Sequence, residues 1–206
     1  MNLICDAKVS IVSRDFGDII TFQIRCPETG TCYYTKDIRN DIFQAFTTLR
    51  PIGPNGLFAA SGYVDIKSAA IIITWLEENS LTDPKPLTIE GVETFDKLVA
   101  LHNATHTFRL ERNRRGDDLH NAVYDYIKQG PLSFDEFAMI VDYLSFDYGL
   151  TKTAMHQTML HLAKGGVPEM EKIKAFCVKN GLWEEMEEIQ KAQRATTKSW
   201  AGISSS

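Results

Sequence analysis

Residues 20–49 read ITFQIRCPETGTCYYTKDIRNDIFQAFTTL, and the period of the apolar residues changes inside this stretch. Ile20-Thr21-Phe22-Gln23-Ile24-Arg25-Cys26 alternates, which on a strand puts Ile20, Phe22, Ile24 and Cys26 on one face. Pro27-Glu28-Thr29-Gly30 then has turn chemistry: Pro presets φ early and Gly accepts a positive φ late. Thr31-Cys32-Tyr33-Tyr34-Thr35 is β-prone again, so the spacing predicts a β-hairpin over 19–35. Beyond it Ile38, Ile42, Phe46 and Leu49 recur at helical spacing, with Asp37 placed to cap the helix. A strand pair running straight into a helix selects an α+β class.

Working outward, Lys8-Val9-Ser10-Ile11-Val12 reads as one more strand outside the hairpin. Pro51-Ile52-Gly53-Pro54-Asn55-Gly56 breaks the chain into a loop, and Gly62-Tyr63-Val64-Asp65-Ile66 reads as a short strand. Ala69, Ile72, Ile73 and Leu76 restart the helical period, and Thr82-Asp83-Pro84-Lys85-Pro86 is an exposed connector. From there helix follows helix. One stripe is Phe95, Leu98, Val99 and Leu101-His102; the next is Leu119, Val123 and Ile127. Gly130-Pro131 stops that helix, and Ser133 with Glu136 spells a capping box for its successor. Helices are expected over 150–162, 167–177 and 182–195, the last with Trp183, Met186 and Ile189 inward, and Asn180-Gly181 ending the one before it. The expected architecture is a small β-sheet capped by a helical cluster over 1–130, a helical extension over 131–197 and a flexible tail over 198–206.

The chain has 206 residues, long enough to bury about 70% of its unfolded surface without a disulfide or metal staple. A net charge of -5, from 22 Lys+Arg against 27 Asp+Glu, argues against a general nucleic-acid binder, which needs a positive surface to displace counterions. The longest apolar run, Ser68 to Ile73, is far short of the roughly 20 residues of a membrane helix, and the first residues do not read as a signal peptide. Four cysteines do not make a disulfide framework. The expectation is a reduced intracellular protein of the cytoplasm or nucleus, with no membrane and no nucleic acid among its partners.

Four constellations carry some chemistry. His102 and His106 stand one helical turn apart, a zinc-ligand spacing, but Asn103 occupies the place of the general-base Glu that a metalloprotease needs. A metal-dependent enzyme using this pair, with His120 beside it, is the alternative reading; a pair of ordinary histidines is favoured, as it is for His156 and His161. Cys26 and Cys32 flank the hairpin turn, and they read as small apolar strand residues before a cross-strand disulfide or half a metal site. Arg109, Arg112, Arg114 and Arg115 form a basic cluster that Asp117 and Asp118 partly offset. Glu184, Glu185, Glu187 and Glu188 read as the wet face of an amphipathic helix. No phosphate-cradling Gly-rich loop, Gly-x-Ser-x-Gly elbow or convincing Cys–His pair is present. The expectation is therefore a binding module without catalytic residue, metal or cofactor.

Tyr34-Thr35-Lys36-Asp37-Ile38 followed by Asp41-Ile42-Phe43-Gln44-Ala45-Phe46 is similar to the hairpin and helix start of fungal BTB/POZ proteins, and the order of the segments after it resembles that family too. Ile71-Ile72-Ile73-Thr74-Trp75-Leu76 is similar to its aromatic-ended helix, and Leu98-Val99-Ala100-Leu101-His102-Asn103-Ala104 to its Leu-Val-x-Leu-x-x-x-Ala helix. Phe108-Arg109-Leu110-Glu111 with Leu119-His120-Asn121-Ala122-Val123, then Gly130-Pro131-Leu132, resembles the closing helix pair and the start of a helical extension. The resemblance covers roughly residues 8–165. It implies a BTB/POZ-like fold and a scaffold or adaptor role in protein–protein interaction, as a homodimer or docked on a cullin scaffold of a ubiquitin ligase.

The residues suggest where such a partner would sit. A strand outside the hairpin can pair with another chain, which singles out Val9 and Ile11. The following helix has apolar residues on more than one face, so Ile38, Ile42, Phe43 and Phe46 complete the expected partner surface, although Phe43 suits a core position equally.

Overall fold

The computed structural model describes residues 6–13, 18–25, 29, 32–49, 57–92, 94–112, 117–167 and 169–203. The fold is α+β. Strand β1 (Asp6–Ser13) lies between β2 (Ile19–Arg25) and β4 (Leu57–Asp65), and β3 (Cys32–Arg39) completes an antiparallel sheet of order β3-β2-β1-β4. The alternation of β2 puts Ile20, Phe22 and Ile24 fully out of solvent.

The hairpin reaches further than the periodicity implies. β3 pairs with β2 as far as Ile20↔Ile38 and Ile19↔Arg39, so Asp37 and Ile38 are strand residues and Asp37 caps nothing. The Asp37 carboxylate accepts from the Thr21 hydroxyl opposite it at 2.6 Å, which satisfies both groups on the ladder. Helix α1 (Asn40–Phe46) is consequently only seven residues long. β4 likewise starts at Leu57, ahead of the expected Gly62. The Pro51–Gly56 loop lies outside the described residues.

β1 is a correction of consequence. It does not stand outside the hairpin: Ile11 faces Phe22 of β2 on one side and Phe58 of β4 on the other.

Helix α2 (Ile66–Glu78) begins where Asp65 accepts from the Ser68 amide at 2.9 Å. Its stripe Ala69, Ile72, Ile73 and Leu76 is wholly buried. The connector after it is exposed but anchored. Asn79 donates to the Lys85 carbonyl and accepts from the Lys85 amide at 2.9 Å, and the Trp75 indole donates to the same carbonyl at 3.0 Å. Helix α3 (Phe95–Thr107) follows, and the chain beyond it is stitched to the end of α1. The Glu111 amide donates to the Phe46 carbonyl and the Thr48 amide to the Arg109 carbonyl, both at 2.9 Å. Arg109 takes a positive φ of 49° in that turn.

The chain divides into two compact units, Met1–His120 and Asn121–Ser206, inside helix α4 (Asp118–Gln129), whereas the sequence suggests a boundary at Gly130-Pro131. The second unit continues with α5 (Phe134–Tyr143), α6 (Tyr148–Ala163), α7 (Met170–Lys179) and α8 (Trp183–Ile203). Phe137, Ile140, Leu150, Met155, Ile173, Cys177 and Met186 are all fully buried in it. Helix α7 starts at Met170, not Val167, after Glu169 with φ 57°, and α8 continues past Ala195 to Ile203 where a flexible tail is expected from residue 198. Gly165 and Gly181 end α6 and α7 with positive φ; in each case the next amide reaches back to close the last turn, Gly166 to His161 at 3.1 Å and Leu182 to Cys177 at 2.8 Å.

The capping box before α5 is formed. The Ser133 amide and hydroxyl both donate to Glu136 at 2.8 Å, and the Ser133 hydroxyl accepts from the Glu136 amide at 3.3 Å. The same carboxylate accepts from the Tyr126 hydroxyl, which pushes the phenol up to about 12. Burial opposes ionisation of Glu136, but the Tyr126 and Ser133 bonds outweigh it and hold its carboxyl below the ordinary range. Ser133→Ala is expected to lower local stability by about 1 kcal/mol, read by hydrogen exchange on the first-turn amides of α5; a change within error would mean the cap is not limiting.

Candidate functional site

The expected partner face in the first unit is largely interior. Phe43 and Phe46 are 0% exposed, Ile42 2% and Ile38 3%. The Phe43 ring meets Phe22 edge-on at 5.4 Å between centroids, Phe22 stacks on Phe108 at 5.7 Å, and Phe46 meets Trp75 edge-on at 5.2 Å. These four side chains therefore join the sheet, α1 and α2 into one core and are not available to another polypeptide. The outward positions of α1 are Asp41 and Gln44. Val9 and Ile11 belong to a strand whose two neighbours are β2 and β4, so the expected strand pairing with a second chain has no edge there. The physical reason is that a seven-residue helix on a four-stranded sheet buries nearly every apolar residue it has.

The histidine pair separates. His102 is 1% exposed, with its ring edge-on to His120 at 5.9 Å, whereas His106 is exposed on the same helix. Two ligands for one ion need a common environment, and these two do not share one. Among the arginines, Arg109 serves the turn after α3 and Arg112 pairs with Asp117 at 2.7 Å, both groups well exposed; Arg114 and Arg115 lie outside the described residues. Cys26 does too. Cys32 stands in register with Arg25. Cys177 is buried, its thiol donating to the Met186 sulfur at 3.3 Å, and burial pushes it up to about 11, which makes it inert at neutral pH.

The feature that sequence reasoning missed lies in the second unit, between α6 and α8. Tyr148, Lys152 and His156 recur every four residues along α6 and form one stripe. They line two adjoining clefts. One, of about 350 Å³, adds Lys128 from α4, Thr153, Gln157 and Gln193. The other, of about 630 Å³, adds Glu184, Glu185 and Glu188 from α8. Lys128 lies over the Tyr124 ring at 5.4 Å and Lys152 over the Tyr148 ring at 5.5 Å. Neither ammonium has an ion-pair partner among the described residues. The Tyr148 hydroxyl donates to Glu185, and Gln193 donates to the His156 carbonyl at 3.1 Å, so α8 is tied to α6 across the clefts. Burial and the Lys152 charge push the His156 imidazole below its ordinary value; Glu185 opposes them and Lys128 adds to them. The signal was present in the sequence as the four-residue repeat of Tyr148, Lys152 and His156.

Among the described residues no helix is long and apolar enough to cross a membrane. No family model matches the chain, and no curated protein or solved structure matches it either.

Proposed function

We propose that this chain is a non-enzymatic protein–protein interaction module of the BTB type, which pairs with a second copy of itself or recruits another protein, a cullin scaffold being the first to try. The observation that carries the reading is the order of elements along the chain up to Gln129. A hairpin (β2, β3) runs into a short helix, then a strand (β4), then the Trp75-bearing helix α2, then α3 and α4. That is the order in which the BTB-like segments occur along the sequence. The buried positions Ile38, Ile42, Phe43 and Phe46 drop out of the partner surface and become the core that supports it. The surface passes to the edges of the sheet, β3 and β4, since an edge strand is the part of a sheet that another chain's strand can extend.

Light scattering on the purified chain at micromolar concentration tests self-pairing, with twice the chain mass as the expected result. A monomer would move the proposal to a heteromeric partner, which titration with a purified cullin scaffold then decides. A monomer that also ignores the cullin would overturn it.

A further inference from the structure

The cleft beside His156 has a use of its own, independent of pairing by the first unit. We infer that Lys128, Lys152 and His156, with Gln157, form a binding site for a phosphate monoester, the phosphoryl group held in the cleft that the two lysines line. Three observations converge. Lys128 and Lys152 come from different helices yet line one cleft, and neither is neutralised by an ion pair among the described residues. Two lysines that line one cleft without an ion pair attract a dianion there, and a phosphate monoester carries about -1.5 to -2 at neutral pH. The cleft, at about 350 Å³, has the size of a small-ligand site, and the Gln157 amide supplies a neutral donor at its wall, the Thr153 hydroxyl being spent on the Gly149 carbonyl at 2.8 Å.

The neighbouring cleft decides which phosphate fits. Glu184, Glu185 and Glu188 stand on its far side, sharing Lys152 and His156 with the first. An extended polyanion laid across both would run onto these carboxylates, so a nucleic acid is disfavoured and a compact ester favoured. The charged groups facing His156 are Lys152 on its own helix, Lys128 from α4 and Glu185 from α8, with Gln193 bonded to its backbone. A bound dianion would offset the two lysines, and protonated His156 would then gain a partner. Binding should therefore raise the His156 titration midpoint.

The experiment follows the His156 ring protons by NMR in the full chain, during titration with inorganic phosphate, phenyl phosphate and a phosphoserine peptide, with sodium chloride at matched ionic strength as the control. A saturable shift with phosphate or either ester, with the midpoint of His156 moving upward, is the expected result. Lys152→Ala and Lys128→Ala should each weaken binding by roughly tenfold or more. Lys164→Ala, just past the end of the same helix and outside the cleft, should leave it intact. Tighter binding of phenyl phosphate assigns the site to a small molecule, and tighter binding of the peptide assigns it to a phosphorylated protein. A response that chloride reproduces, lysine variants that bind as well as the parent, or an oligonucleotide that outcompetes both esters would each overturn the assignment.

Discussion

Phe43→Ala is expected to destabilise the first unit by about 3–5 kcal/mol, the range for removing a large aromatic side chain from a packed core. Phe43 is 0% exposed and its ring rests edge-on against Phe22, which in turn stacks on Phe108. Truncation would empty the junction of α1 with β2 and leave Phe22 without its edge-on partner. The loss is best read by hydrogen exchange on the β2 and β3 amides, because two compact units make a single unfolding curve hard to interpret. Phe43→Leu keeps most of the volume and should cost distinctly less. Were Phe43 a partner-binding residue on the surface, the same exchange rates would move by no more than about 0.5 kcal/mol equivalent.

Trp75→Ala is the second large effect, also about 3–5 kcal/mol. Its ring fills the space against Phe46, and its indole N–H donates to the Lys85 carbonyl that Asn79 also binds. The substitution therefore removes core volume and loosens the Pro84-Lys85-Pro86 connector together. Trp75→Phe separates the two contributions. It keeps an aromatic against Phe46 and loses the hydrogen bond with only part of the ring volume, an expected cost of about 1–2 kcal/mol. Limited proteolysis near Lys85 reports on the connector: cleavage should quicken in both variants, and equal rates in parent and Trp75→Phe would show that Asn79 alone holds it.

Much of this fold was legible because its segments keep one period. β2 alternates, and Ile20, Phe22 and Ile24 are buried as the alternation requires. The stripe of α2 and the capping box of α5 also follow from the residues alone. What failed was the placing of boundaries set by partners distant in sequence. Nothing local marks β3 as continuing through Ile38, since Ile38 is spaced to suit the helix as well; the ladder to Ile19 and Ile20 decides it. Nothing local gives β1 two neighbours either, because the second, β4, lies far along the chain. The expected partner surface fell for the same reason. Apolar residues on several faces of a short helix look like a surplus until the elements that cover them are counted. The cleft of the second unit was half legible: the stripe on α6 is local, whereas Lys128 and the acidic face of α8 reach it only through folding.

The central place of β1 bears on how the protein is made. Residues are synthesised at roughly 5–20 per second, so after β1 has left the ribosome several seconds pass before β4 follows. Over that interval one side of β1 has no strand to pair with, a nascent chain that nearby copies on the same messenger can join. The sheet closes only through non-local pairing, which is slow, while each helix of the second unit needs only contacts near at hand. Yield on expression should therefore depend on translation rate and on chaperones acting across the first 65 residues more than on anything in the helical half.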